Sequence, residues 1–165
     1  MPGVERMLDE SANPAGRLMA SPVSGRVAAL AGVPDSVFAG GILGKGCCVW
    51  PDEGVVCAPA AGVVGAAMPH AVGISTGDVE VLVHIGVDTV EMGGKGFELL
   101  VRQGQRVEAG QALVRFDREA VAAAGHSDCV VVTVTNSADM AAVELAAEPG
   151  AEIWSGEPLL RIIEE

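Results

Sequence analysis

The chain has 165 residues, half of them hydrophobic, which is the length of one domain and enough apolar material for one core. Its 22 acidic side chains outnumber its 10 basic ones and give a formal net charge of −12, which disfavours nucleic acid and anionic lipid as partners and favours a basic protein. Charged residues make up only 19% and the mean hydropathy is +0.40, which excludes a disordered acidic chain.

The first 20 residues mix glycine, proline and charged side chains without a sustained period, so we predict a flexible leader over residues 1–20 and a folded domain over residues 21–165. The acidic residues Glu5, Asp9 and Glu10 stand where a secretory signal would have a basic end and an apolar run. The leader also lacks the basic amphipathic pattern of a membrane anchor, so direct membrane attachment is not expected. We therefore expect a cytoplasmic protein.

A short motif at the start of the folded domain occurs twice, because residues 21–27 and residues 58–64 share the pattern small-Pro-x-x-Gly-x-Val. The second copy lies within the most apolar stretch of the chain, residues 55–74. Prolines and glycines interrupt this stretch too often for the helix of ~20 apolar residues that crosses a bilayer. We therefore predict no transmembrane helix here.

The next predicted element is a hairpin that brings two histidines together. Residues 79–83 alternate between two faces, and the turn residues Ser-Thr-Gly-Asp precede them, which together indicate strand, turn and strand. With the hairpin centred on Gly77, His70 lies directly opposite His84 on a mostly apolar face, with Cβ atoms about 4.5 to 5.5 Å apart. A slip of one residue in the register would move His70 to the other face.

A longer motif is also duplicated. Residues 104–116 match residues 150–162 without a gap as Gly-x-x-(Val/Ile)-x-x-Gly-x-x-Leu-(Val/Leu)-Arg-(Phe/Ile). In each copy two glycines bracket a short extended piece, and an apolar run of strand length follows. Between the copies, residues 118–125 favour a short helix that ends at a glycine, and a further short turn is predicted near Asp139.

The duplicated strand motifs predict the fold class. We expect an all-β protein, an antiparallel β sandwich or barrel with internal duplication (a duplicated hybrid motif) and one or two short helices. The four cysteines form no CxxC pair and no zinc-ribbon spacing, so we expect them to be reduced core residues.

Candidate catalytic groups are few, because the chain has three histidines. The facing pair His70 and His84 is compatible with a metal site, an acid/base pair, a phosphoryl acceptor beside a hydrogen-bond donor, or two structural histidines. A metal site needs a third ligand, and neither His126 nor Asp88 nor a cysteine has the required spacing, so neither a metal nor a cofactor is expected. His126 follows the predicted helix and is expected to be exposed to solvent.

The segment around the second histidine, residues 81–97 (VLVHIGVDTVEMGGKGF), resembles the phosphoacceptor signature of the glucose-type enzyme IIA family of the bacterial phosphoenolpyruvate-dependent sugar phosphotransferase system. Four further segments resemble the family's framework in the right order, and the resemblance covers about residues 20–163; these segments are residues 33–39, 56–62, 104–107 and 156–158. The resemblance implies a largely antiparallel β sandwich, in agreement with the fold predicted from the repeats.

The resemblance also implies a chemistry for the two histidines. The histidine phosphocarrier protein would phosphorylate His84, and His70 would be needed to pass the group on to the enzyme IIB domain of a sugar permease. Backbone amides from Gly86 to Asp88 are candidate donors to the phosphoryl oxygens, beside the N–H of the second imidazole. Before His70 the chain departs from the family, which commonly has a hydroxyl residue here, whereas Met68 cannot donate a hydrogen bond.

Further residues match the family's partner-docking surface. Asp35 and Asp88 match acids that face the basic carrier, although Asp35 is explained equally well as a turn residue and Asp88 can satisfy local backbone donors in a turn. An apolar docking ring is matched by Val37, Phe38, Ile42, Leu43 and Val90. Composition alone would place most of these apolar side chains in a core.

Two functions stay open at this point. The main hypothesis is a phosphotransferase component that works through a phosphohistidine intermediate on His84 and serves sugar uptake. The alternative is a regulatory protein that inhibits its partners while unphosphorylated, because a phosphoryl group adds a charge of about −1.5 to −2 to the docking face. A metallohydrolase on a related scaffold is disfavoured, since the chain lacks a His-x-His motif. The sugar and the regulatory targets are not encoded in this chain.

Overall fold

β-Strands make up most of the regular structure of residues 16–164, the part of the chain that the computed structural model describes. The strands are β1 Arg17–Ala20, β2 Gly25–Ala29, β3 Lys45–Pro51, β4 Val55–Cys57, β5 Gly62–Met68, β6 Ala71–Thr76, β7 Val79–Ile85, β8 Phe97–Leu99, β9 Arg106–Val107, β10 Ala112–Phe116, β11 Val130–Val134, β12 Met140–Leu145, β13 Glu152–Ile153 and β14 Pro158–Glu164. Two short α-helices, α1 Ser36–Ala39 and α2 Arg118–Ala123, and 3-10 turns at Leu30–Gly32, Thr89–Met92 and Ser137–Asp139 complete the described elements. No described helix is long and apolar enough to cross a membrane.

The strands form three sheets in which every described pairing is antiparallel. The large sheet has the order β13-β2-β3-β11-β7-β6-β5-β9, and two three-stranded sheets have the orders β1-β14-β12 and β4-β10-β8. The predicted all-β antiparallel fold with short helices is therefore confirmed. None of the three sheets closes into a barrel within residues 16–164.

The eight-stranded sheet consists of two matching halves, which are β9-β5-β6-β7 and β13-β2-β3-β11. They meet where β7 pairs with β11, with Val83 opposite Val132 at the centre. The long repeat attaches to each half in the same way, because Gly104 N–H donates to Val64 O and Gly150 N–H donates to Val27 O, both at 2.7 Å. The duplication predicted from the sequence is thus a duplication of strand pairing.

Apolar side chains fill two cores on the two faces of the large sheet. The main core includes Val83 and Ile85 of β7 and collects residues from all three sheets. A second, smaller core on the opposite face joins the sheet to the connection between β2 and β3; its buried members are Val33, Phe38, Cys48, Val87, Cys129 and Val131. The prediction that the cysteines are core residues is confirmed for three of the four, whereas Cys57 is half-buried.

The first strand corrects the predicted start of the folded domain. Arg17–Ala20 forms β1 and pairs with β14, so the sheet begins at Arg17 and not near Ser21. Arg17 also donates from Nη2 to Thr76 Oγ1 at 3.0 Å. A strand of four residues is too short to show a period, so the sequence does not distinguish it from the leader. The remainder of that predicted leader, residues 1–15, lies outside the described residues.

The predicted short helix and the predicted turn near Asp139 are both confirmed, as α2 and as the 3-10 turn Ser137–Asp139. Asp117 caps α2 by accepting from Glu119 N, and Gly125 follows its end with a φ of +83°. Helix α1 was not predicted, because four residues carry no helical period. Its start is nevertheless visible in the sequence as Asp35, whose side chain caps it.

Candidate functional site

The hairpin that carries the two histidines differs by one residue from the predicted register. Its turn consists of Gly77 and Asp78, since Thr76 pairs with Val79, and this places Ala71 rather than His70 opposite His84. Gly77 has a φ of +63°, which suits a two-residue turn formed by Gly77 and Asp78. The prediction had instead placed Gly77 alone at the centre of the turn.

The predicted neighbourhood of the two histidines is nevertheless confirmed. The centroids of the His70 and His84 rings lie 5.2 Å apart, and the ring planes meet at 77°. His70 is the second residue of the two-residue turn between β5 and β6, because Met68 pairs with Ala71. A residue in a turn is not bound by the alternation of a strand, so its side chain can reach the face that carries His84.

His84 lies at the edge of the second core. Its strand position is flanked by Ala71 on β6 and Val131 on β11. The Phe38 ring packs against it with the centroids 4.9 Å apart and a tilt of 58°. Phe38 is only 5% exposed. The prediction that Phe38 belongs to a docking ring is therefore wrong. Its ring packs against the His84 ring and offers almost no surface to a partner.

A backbone carbonyl fixes the tautomer of His84. The Nδ1–H of His84 donates to Gly86 O at 2.8 Å. Because a carbonyl oxygen can only accept, the proton is assigned to Nδ1, and Nε2 keeps its lone pair. The geometry thus leaves one ring nitrogen of His84 available as a nucleophile.

The backbone amides of Gly86 and Val87 are not free to bind a ligand, which corrects the predicted role of Gly86. Gly86 N–H donates to Cys129 O at 2.7 Å, and Val87 N–H donates to Ser127 O at 3.1 Å. Gly86 has a φ of +76°, and a Cβ there would lie 2.5 Å from Thr89 Cγ2. Its role is to bring its carbonyl oxygen to His84 in a bend that excludes any larger residue.

Burial lowers the pKa of both His70 and His84. For His84 the lowering by burial and by nearby His70 opposes the hydrogen bond to Gly86 and the charges of Asp35 and Asp88, which raise the pKa. Burial also lowers the pKa of His70. Both imidazoles are therefore mainly neutral at pH 7, and the lone pair on His84 Nε2 is not blocked by a proton.

Of the two predicted acids, Asp35 precedes His84 in the sequence and Asp88 follows it. The negative charge of each raises the pKa of His84. Asp35 is half-buried, and its Oδ1 accepts from Val37 N at 2.8 Å. Asp88 is exposed and has a left-handed backbone with a φ of +60°. The alternative that these acids satisfy local backbone donors is thus correct for Asp35, and both charges still favour protonation of His84.

Four of the predicted docking residues are exposed apolar side chains. Val37 is 41% exposed, Ile42 75%, Leu43 40% and Val90 61%. The first three lie in or just after α1, the helix that brings Phe38 to His84, and Val90 lies in the 3-10 turn after Asp88. Exposed apolar side chains mark a protein interface where they form one contiguous patch.

Two features of this site were not predicted from the sequence. Met68, already noted as the residue before the turn with His70, is a further exposed apolar side chain at 43%. The carbonyl groups of Ser127 and Cys129 that hold the backbone after His84 carry no signal in the sequence. His126, predicted to be exposed, is instead half-buried, and its Nε2 lies 3.9 Å from Glu91 Oε1.

Comparisons with known proteins are consistent with this geometry. A sequence model of the family described as phosphoenolpyruvate-dependent sugar phosphotransferase system, EIIA 1, matches residues 17–140. The chain is 40% identical to the PTS system glucose-specific EIIA component of Halalkalibacterium halodurans over 92% of this chain and 88% of that protein. Its fold is similar to that of the glucose permease IIA from Mycoplasma capricolum, with a TM-score of 0.77, 32% identity and coverage of 88% of this chain and 95% of that one.

A second group of relatives consists of much longer proteins. The PTS system beta-glucoside-specific EIIBCA component of Bacillus subtilis is 42% identical over 71% of this chain, and the match covers 20% of that protein. The PTS system glucose-specific EIICBA component of Streptococcus pneumoniae is 44% identical over 76% of this chain and 18% of its own length. In these relatives the matching part is one segment of a multidomain chain.

Proposed function

Because the chain belongs to the EIIA family of phosphoenolpyruvate-dependent sugar phosphotransferase systems, we propose that it accepts a phosphoryl group from the histidine phosphocarrier protein on His84 and passes it to an enzyme IIB domain. Membership in the family makes the chain a phosphotransferase component with a carrier role in sugar uptake. The finer steps rest on the geometry around His84.

The observation that carries the proposal is the hydrogen bond from His84 Nδ1–H to Gly86 O. It leaves the Nε2 lone pair to attack the phosphorus atom of a phosphorylated donor imidazole. As the new N–P bond forms, the donor N–P bond breaks, and its electron pair stays on the donor nitrogen. Phosphoryl transfer needs mainly this in-line positioning and compensation of charge, so a fixed neutral imidazole is sufficient as the acceptor.

His70 is the proposed second active histidine. Its ring meets the His84 ring edge-on, so an N–H of the neutral ring can donate to an oxygen of the phosphoryl group on His84. The apolar surroundings of the pair limit the access of water and thereby slow hydrolysis of the phosphohistidine. In the onward step a nucleophile of the IIB domain takes the phosphoryl group, and the N–P bonding pair returns to His84 Nε2.

The surface around the pair supports docking of a basic partner. The exposed apolar groups Val37, Ile42 and Val90 provide contact area. Asp35 and Asp88 add negative charge beside them, on a chain whose formal net charge is −12. The longer relatives named EIIBCA and EIICBA support a IIB partner, because their names place the A and B components in one protein. We also propose a cytoplasmic location.

The same surface favours a second candidate, a regulatory binding protein. Ile42 is 75% exposed and Val90 61%, and a partner that buries them next to a neutral His84 would be repelled by a phosphoryl group. Such inhibition of partners by the unphosphorylated form is compatible with the carrier role.

The test is the intact mass of the chain after mixing with phosphoenolpyruvate, enzyme I and the histidine phosphocarrier protein. The wild type gains one acid-labile phosphoryl group and loses it when a IIB domain is added. His84→Ala does not gain the group, His70→Ala gains it but passes it on slowly, and the control His126→Ala behaves like the wild type. A wild type that a competent donor leaves unphosphorylated contradicts the carrier role.

A further inference from the structure

We propose that Thr89 is a positioning residue, whose buried hydroxyl group closes the loop after β7 and thereby keeps Gly86 O in place as the hydrogen-bond partner of His84 Nδ1–H. The inference rests on the proposed function and deepens it, because it names what keeps Nε2 of His84 free to accept a phosphoryl group. Thr89 has no contact with the phosphoryl group in this role and acts through Gly86.

The loop between Ile85 and Thr89 has a backbone conformation that its surroundings must impose. Gly86 has a φ of +76° and Asp88 a φ of +60°, and Asp88 is the one residue other than glycine with a positive φ within residues 16–164. A left-handed backbone is unfavourable for such a residue and persists where neighbouring contacts fix it. These contacts therefore decide where the carbonyl group of Gly86 lies.

Two backbone hydrogen bonds hold the loop from the side of β11. Gly86 N–H donates to Cys129 O at 2.7 Å, and Val87 N–H donates to Ser127 O at 3.1 Å. The second bond orients the peptide group to which Gly86 O belongs, because this group joins Gly86 to Val87. The far end of the loop needs a separate support.

The hydroxyl group of Thr89 supplies this support. Thr89 Oγ1 donates to Ile85 O and so joins the last residue of the loop to the end of β7. Both residues are only 1% exposed, so water cannot replace the hydroxyl group as a donor to Ile85 O. Ile85 N–H donates to His70 O at 2.7 Å, so the residue that Thr89 holds is also tied to the turn with the second histidine.

The methyl group of Thr89 makes a second contact, which a test must separate from the first. The space that a side chain at Gly86 would need is occupied by this methyl group, because a Cβ there would lie 2.5 Å from Thr89 Cγ2. Valine keeps the branched shape of threonine and lacks the hydroxyl group. Serine keeps the hydroxyl group and lacks the methyl group.

Loss of the hydroxyl group is expected to change the tautomer of His84. The loop is then held at one end only, and Gly86 O moves away from its 2.8 Å contact with His84 Nδ1. A neutral imidazole without this acceptor also populates the tautomer with its proton on Nε2, where the lone pair for attack is lost. A shift of about 1 Å at a reacting group can cost up to about 100-fold in rate, so acceptance of a phosphoryl group by His84 slows.

The experiment compares Thr89→Val with Thr133→Val. Thr133 is the matched control, because it is fully buried on β11 and its hydroxyl group has no hydrogen-bond partner within residues 16–164. The first readout is the NMR spectrum of the imidazole nitrogens in the unphosphorylated chain, which distinguishes the two tautomers. The second is single-turnover phosphorylation by the phosphorylated histidine phosphocarrier protein.

For Thr89→Val we expect a mixture of His84 tautomers and acceptance slowed about tenfold or more, whereas Thr133→Val keeps the Nδ1–H tautomer and accepts within about twofold of the wild type. Thr89→Ser should restore both the tautomer and the rate, because it keeps the hydroxyl group. Thr89→Ala, which places no methyl group against Ile85 O, replaces the valine variant if that one does not fold, with the same expected result.

Two results would overturn the proposal. One is a folded Thr89→Val or Thr89→Ala chain whose His84 keeps the Nδ1–H tautomer of the wild type. The other is a Thr89→Ser chain that loses this tautomer as completely as Thr89→Val, which would assign the effect to the methyl group. A wild type that is never phosphorylated refutes the proposed function instead, while the spectra still decide whether Thr89 fixes the tautomer of His84.

Discussion

Asp35 combines two roles that act on the same histidine. Its Oδ1 caps α1 through Val37 N, and α1 carries Phe38 against the ring of His84. Its negative charge also raises the pKa of His84 against the effect of burial. The carboxylate therefore affects His84 both through packing and through the electric field.

A pair of substitutions separates these roles. Asparagine caps helices as well as aspartate does, so Asp35→Asn keeps the cap and lowers the pKa of His84 further by removing the charge. Asp35→Ala removes the cap as well and costs about 1 kcal/mol of stability. Histidine titration by NMR and urea unfolding measure the two effects, and an equal loss of stability in both variants would contradict the capping role.

The lowered pKa values of His70 and His84 also predict how stability depends on pH. The unfolded chain binds protons on these residues below about pH 6.5, whereas the folded chain does not until the pH falls further. Because the unfolded state then holds more protons, the free energy of unfolding decreases as the pH is lowered from 7.5 to 5.5. Urea unfolding at several pH values checks this, and His84→Gln should flatten the dependence. A slope that is unaffected by His84→Gln would contradict the conclusion that the pKa of His84 is lowered in the folded chain.

At the scale of the elements, the glycine of the short duplicated motif has a steric reason. A Cβ on Gly25 would lie 2.0 Å from Trp50 O, and one on Gly62, at the same place in the other half, would lie 2.3 Å from Ser75 O. At both sites the neighbouring strand approaches the glycine too closely for any side chain. The repeated Gly in small-Pro-x-x-Gly-x-Val is therefore required by strand pairing.

This close approach predicts a position-specific loss of stability. Gly25→Ala and Gly62→Ala should each lower the free energy of unfolding by about 1–3 kcal/mol or more, because the backbone has to move apart. Gly65→Ala on the same strand as Gly62 is the matched control, since a Cβ there meets nothing within 4 Å. Urea unfolding of the three variants decides the question, and similar stability of Gly62→Ala and Gly65→Ala would contradict the steric explanation.

The elements also show what could and could not be predicted from the sequence. The strands of the long repeat and the hairpin before His84 were predictable, because alternation and bracketing glycines are local signals. The pairing of Ala71 with His84 was not, because it depends on whether the turn has one central residue or the two residues Gly77 and Asp78. The burial of Phe38 was equally invisible, since exposed and buried apolar residues look alike in a single chain.

The formal net charge of the whole molecule, −12, predicts that its rate of association with the proposed phosphoryl donor depends on salt. Attraction between an acidic chain and a basic carrier raises the association rate, and salt screens it as the Debye length shrinks from ~10 Å at 0.1 M to ~3 Å at 1 M. The association rate with the phosphocarrier protein should therefore fall steeply as the salt concentration rises. At a given salt concentration, Asp88→Asn should associate more slowly than the wild type. Stopped-flow measurements test this, and a rate that is independent of salt would exclude electrostatic steering.

The matching halves of the large sheet bear on the origin of the reactive site. Since Val83 corresponds to Val132 across the centre, His84 corresponds to Thr133, which is fully buried and whose hydroxyl group finds no hydrogen-bond partner within residues 16–164. The two positions differ in the connection beside them: one half has the two-residue turn with His70, the other the long excursion over residues 30–44. The excursion carries Phe38, whose ring packs against His84, so the two halves of the sheet are not equivalent around the two histidines. This asymmetry fits the proposal that His84 alone accepts a phosphoryl group, which makes one phosphoryl group per chain the expected stoichiometry.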